Sequence, residues 1–140
     1  MKVRVIIALA ALSAATACTP LQVSWFTNLD AGDQRDVTEM IIRSSADEFG
    51  VDADLLLGVA VCESGLNVTA KNRSSSARGL FQFLDTTWDS QRHRLDYAPE
   101  DILDPVASSR VAASMISEGG LSAWNASRHC WSRVTLPSSE

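Results

Sequence analysis

Apolar positions set the outline of this chain. Val37, Met40, Ile41, Ile42, Ala46 and Phe49 recur at steps of three and four, the period of a helix with one face turned inward. Asp36 is its candidate N-cap and Gly50 its stop. A second helix, capped by Asp52 or Asp54, runs through Leu55, Leu56, Leu57, Val59, Ala60, Val61 and Cys62 until Gly65. Apolar on every side, it reads as buried. Thr86 to Arg92 and Pro105 to Glu118 read as further helices. The latter has Asp104 as N-cap, Pro105 at the first helical position and Gly119-Gly120 as terminator. Asn67 to Ala77 is rich in Ser, Asn and Thr without a period and reads as loop. No segment alternates convincingly as a strand, although residues 68–84 leave room for a short hairpin. The expected fold class is mainly α, in one small domain.

The ends read differently. Met1 to Arg4 carries two positive charges, Val5 to Leu12 is apolar, and Ala15-Thr16-Ala17 supplies small residues at a cleavage spacing. The apolar run is too short to span a bilayer. Residues 1–17 are expected to be a signal peptide, 18–35 a tether, 36–131 the folded domain and 132–140 a C-terminal tail. Export to the periplasm or cell envelope follows from that reading. Loss of residues 1–17 would leave ten basic against seventeen acidic side chains, a formal charge of −7. A balance so acidic argues against a nucleic-acid partner.

Three cysteines cannot all pair with one another. Cys18 sits where bacterial lipoproteins carry a lipidated cysteine, which would tie the protein to the membrane. Ala15 stands where that signal usually has leucine, so ordinary cleavage and a free thiol remain the alternative. Cys62 and Cys130 have the competing readings of disulfide, catalytic thiol, or metal ligands with His93 and His129. The spacings match no metal finger, and the disulfide is the reading adopted. No metal or cofactor is expected, and both histidines are expected at the surface.

Among the acids, Glu63 stands apart. It falls in the last turn of an apolar helix, beside Val59, Ala60 and Leu66, where desolvation and the negative end of the helix dipole both favour a protonated carboxyl. Such a group can donate a proton to a glycosidic oxygen; the alternative is a structural acid. Around it, Cys62-Glu63-Ser64-Gly65-Leu66-Asn67, Gly79-Leu80-Phe81-Gln82-Phe83 and Ala123-Trp124-Asn125-Ala126 supply the amide, glycine and aromatic groups that line sugar-binding grooves.

These motifs, with Ala70, Ser75 or Ser76, and Thr86-Thr87, resemble the lysozyme-fold lytic transglycosylases over about residues 37–131. Cys62-Glu63-Ser64-Gly65 with a late Cys130 also resembles the resuscitation-promoting factors of the same fold group. Four positions depart from the pattern: Phe81 for methionine, Asp85 for proline, Trp124 for tyrosine and Ser127 for the final glycine. The resemblance implies a lysozyme-like domain that cleaves the MurNAc-GlcNAc β-1,4 bond of peptidoglycan, leaving 1,6-anhydroMurNAc ends. Glu63 would be the single catalytic acid and base. Substrate binding would fall to Ser64, Asn67, Gly79, Gln82, Phe83, Trp124 and Asn125. Asp85, Asp89, Asp96 and Asp101 are conceivable second carboxylates, and no pattern selects one. A lysozyme-type hydrolase using water is one rival; a catalytically silent module that binds glycan or joins an envelope or virion assembly is another.

Overall fold

The computed structural model describes Phe26 and residues 28–134. The expected signal peptide, most of the tether, Cys18 and the end of the tail lie outside these residues.

Helix α1 (Ala31–Phe49) begins after Asp30, whose Oδ1 accepts the Asp33 N–H at 2.9 Å. Asp36 therefore sits inside the helix rather than at its cap, and residues 31–35, read as tether from the sequence, form its first turns. The apolar period misses this turn because its residues are polar or small, and only the cap marks the start. Gly50, at φ +65, ends α1 in the left-handed conformation that a C-cap favours. Met40, counted with the inward face, is 66% exposed, while Ile42 and Ala46 are fully buried.

Helix α2 (Ala53–Ser64) starts as its sequence predicts: Asp52 Oδ1 accepts the Leu55 N–H at 2.8 Å. Leu56 to Ala60 are all buried. Gly65 (φ +62) and Leu66 (φ +67) are both left-handed, so the chain turns sharply after Ser64. The next stretch is loop, and the allowed hairpin is reduced to isolated bridges, Lys71 with Arg78 and Arg78 with Phe83. Helix α3 (Asp85–Arg92) leads through short 3₁₀ turns at His93–Leu95 and Pro99–Leu103 into α4 (Pro105–Ser117). There Asp104 Oδ1 caps the Ala107 N–H at 2.7 Å. A 3₁₀ segment (Gly120–Ser127) and the short α5 (Arg128–Trp131) complete the described fold.

The result is mainly helical. α1 packs chiefly on α4 and next on α2, and α5 packs on α2. Arg110 on α4 secures the first pair by bonding Glu48 of α1 at 2.5 and 2.8 Å and the Tyr97 hydroxyl at 2.6 Å. These packings hold α2 from two sides and leave its C-terminal end facing the Gly79–Phe83 segment. Burial of Ile42, Leu56 and Leu57 there contributes about 1.5–3 kcal/mol each.

Candidate active site

Glu63 stands on the last turn of α2, half-buried rather than sunk in the apolar interior. Its Oε1 accepts a hydrogen bond from Ser127 Oγ at 2.5 Å, and Oε2 has no partner among the described residues. Ser127 Oγ also lies 3.1 Å from the Trp124 carbonyl. One hydroxyl proton cannot serve both acceptors, so the pair has two states. Facing a carboxylate, Ser127 donates to Oε1. Facing a protonated carboxyl, it donates to the Trp124 carbonyl and accepts from Glu63.

The facing wall is Gly79–Phe83, which forms no ladder. Three successive carbonyls are taken by side chains instead: Gly79 O by Gln82 Nε2 at 2.9 Å, Leu80 O by Ser64 Oγ at 2.8 Å, and Phe81 O by Trp124 Nε1 at 2.9 Å. Behind the wall, Phe83 lies 5.7–6.2 Å, centroid to centroid, from Phe81, Trp88 and Trp124. The Cys62–Cys130 disulfide, with Cα atoms 5.9 Å apart, joins α2 to α5 next to Glu63 and three residues after Ser127. Between these parts is a cleft of about 120 Å³ lined by Glu63, Gln82, Phe83, Leu84, Thr87, Ala123, Trp124 and Ala126. Glu63 is the single carboxylate among these lining residues.

Glu63 is thus a half-buried carboxylate at a helix end, held by a hydroxyl beside a groove, with no second carboxylate among the lining residues. The family model of the transglycosylase SLT domain matches residues 40–128. The chain belongs to this family. Two curated relatives are similar over shorter stretches. The probable transglycosylase SceD of Staphylococcus carnosus is 43% identical over 60 residues, 39% of this chain and 26% of that protein. Its namesake in Staphylococcus haemolyticus is 38% identical over 73 residues, 47% of this chain and 28% of that protein. The chain thus spans little more than a quarter of these relatives. No solved structure matches it.

Within this SLT domain the expected site residues divide. Gln82, Phe83 and Trp124 line the Glu63 cleft, and Ser64 fixes its wall. Trp124 and Phe83 are 4% and 2% exposed, so they are core residues whose edges reach the cleft, not open platforms for a sugar ring. Gly79 is also structural. At φ +79 it lies so close to the Ile102 carbonyl that a Cβ would come within 2.6 Å, so the close approach is to backbone rather than ligand. Asn67 does not line the cleft, and its Oδ1 accepts both the N–H and the hydroxyl of Thr69 at 3.0 Å. Asn125 is exposed and does not line the cleft.

Of the conceivable second carboxylates, Asp85 pairs with Arg78 and Asp89 with Arg92. Asp101 accepts the Ala98 N–H, Asp96 occupies a left-handed surface position, and none lines the cleft. His93 and His129 are exposed, and no cluster suited to a metal occurs among the described residues. Sequence reasoning missed Ser127, read only as a departure from glycine, together with Leu84, Thr87, Ala123 and Ala126 as lining. A hydroxyl three residues before Cys130 was the available signal, given that the bridge brings that turn to Glu63.

Proposed function

We propose that this chain is the catalytic part of a peptidoglycan lytic transglycosylase, cleaving between MurNAc and GlcNAc with formation of 1,6-anhydroMurNAc ends. The observation that carries the reading is the solitary carboxylate in the cleft. Glycosidases that use water or a covalent intermediate normally set a second carboxyl about 5–9.5 Å from the first, and among the described residues no second carboxylate lines this cleft.

Glu63 protonates the glycosidic oxygen as the bond to the muramic anomeric carbon breaks. The substrate's own N-acetyl oxygen stabilises the cation developing at that carbon. Glu63, now a carboxylate, takes the proton from the muramic 6-hydroxyl, whose oxygen closes on the anomeric carbon. No water is consumed, and Glu63 ends protonated as it began. Ser127 follows the change of charge by switching its donor between the Trp124 carbonyl and Oε1. The Gln82 carboxamide, its nitrogen committed to Gly79, presents its oxygen as an acceptor for sugar hydroxyls or amides. Residues 1–17 direct export, and lipidation of Cys18 would hold the enzyme at the membrane beside the wall.

The test is mass spectrometry of soluble products from peptidoglycan treated with the purified oxidised protein or with Glu63→Gln. Wild-type products lighter by one water than reducing-end fragments, and none from the variant, are expected. Reducing-end products would replace this reading with a hydrolase. Absence of cleavage by folded protein would replace it with a glycan-binding module.

A further inference from the structure

A second cavity, of about 270 Å³, adjoins the turn that follows Glu63 and Ser64. Gly65 and Leu66 form part of its wall, two and three residues along the chain from the acid. Buried Phe26, Leu66 and Val68 give it an apolar lining, while Arg35 and Asn67 supply polar donors. The mechanism uses neither.

Arg35 stands with Arg73, Arg128 and Arg133 in having no ion pair among the described residues, and alone of these four it lines this cavity. Arg43, Arg78, Arg92, Arg94 and Arg110 each hold a carboxylate. Arg35 holds none among the described residues, and its one hydrogen bond is a long contact to the Gly65 carbonyl at 3.4 Å. With seventeen acids against twelve lysines and arginines, partners are not scarce. A guanidinium left without one at a cavity is therefore a ready receptor for an anion, and its planar fork suits a carboxylate. Asn67 adds to this: both Thr69 bonds go to Oδ1, which leaves its amide NH₂ free to donate.

Peptidoglycan offers a matching group. Each muramic residue can bear, amide-linked to the carboxyl of its lactyl ether, a short peptide that includes small alanine side chains and carries carboxylates. We propose that this cavity binds a carboxylate of that peptide stem, with Arg35 as the charged partner, Asn67 as a second donor and the apolar lining against its small side chains. The inference rests on peptidoglycan as the substrate of the Glu63 cleft. It adds that the enzyme selects strands whose muramic residues still carry peptide.

The experiment compares initial rates of the full-length oxidised protein on soluble glycan strands with stem peptides and on the same strands stripped by an amidase. The wild type is expected to show a KM about fivefold lower on peptide-bearing strands. Arg35→Gln should raise that KM to the stripped-strand value, leaving kcat and the stripped-strand kinetics unchanged; Arg35→Lys should recover part of the difference. Equal wild-type KM on both substrates, or a defect of Arg35→Gln equal on both, overturns the proposal. If the wild type cleaves neither substrate, the catalytic reading fails, and the cavity is then judged by titrating muramoyl pentapeptide into labelled protein. Shifts of the Asn67 and Thr69 amides that vanish in Arg35→Gln uphold it; their absence overturns it.

Discussion

Removing the Cys62–Cys130 bridge should cost this domain a large share of its stability. The cysteines lie 68 positions apart, and closing a loop of that length lowers the entropy of the unfolded chain enough to stabilise the fold by about 4 kcal/mol. Domains of this size are stable by only about 5–15 kcal/mol in total. At about 4–8 °C per kcal/mol, the double variant Cys62→Ser/Cys130→Ser should melt roughly 15–30 °C below the oxidised wild type. Thermal unfolding followed by circular dichroism measures this, with reductant-treated wild type as an independent route to the same state. The site should feel the loss as well, because Cys130 anchors the turn bearing Ser127, whose hydroxyl reaches Glu63. Cleavage should therefore decline at temperatures below the melt. A fall of less than about 5 °C in both samples would refute the loop-closure account. It would mean that packing of α5 on α2 holds the C-terminal segment without the bond.

Two further outcomes follow from single contacts. Ser127→Ala should lower kcat about tenfold with KM and melting temperature little changed, and Ser127→Thr should restore most of the rate; steady-state kinetics on soluble strands would show this. Gly79→Ala should destabilise the domain by about 3 kcal/mol, read from the urea midpoint, because the new Cβ meets the Ile102 carbonyl in a left-handed backbone.

The helical frame was legible wherever apolar periodicity and a cap coincided, as at Asp52 with Gly65 and at Asp104 with Pro105. It failed where only one signal was present. Asp30 caps α1 ahead of a polar turn that carries no apolar period, and the 3₁₀ turn at Pro99–Leu103 is too short to show one. Glu63 could be picked out because a charge at the end of an apolar helix is unusual. The roles of its neighbours could not, since they depend on which atoms meet. Gly79 and Trp124 have the residue types of a sugar site but spend them on the Ile102 and Phe81 carbonyls. Ser127 reaches Glu63 across 64 positions, a pairing that no local pattern encodes.

Fastening the cleft wall and lining the groove overlap in Gln82 and Trp124 and otherwise fall to different residues. Ser64, Gln82 and Trp124 tie down the carbonyls of Leu80, Gly79 and Phe81, while Leu84, Thr87, Ala123 and Ala126 line the groove with no side-chain hydrogen bonds among the described residues. Mutation can therefore reshape what the groove admits without unfastening the wall that forms it. Substrate preference in this domain is free to drift through a lineage, one lining residue at a time, while the acid and its supports stay in place.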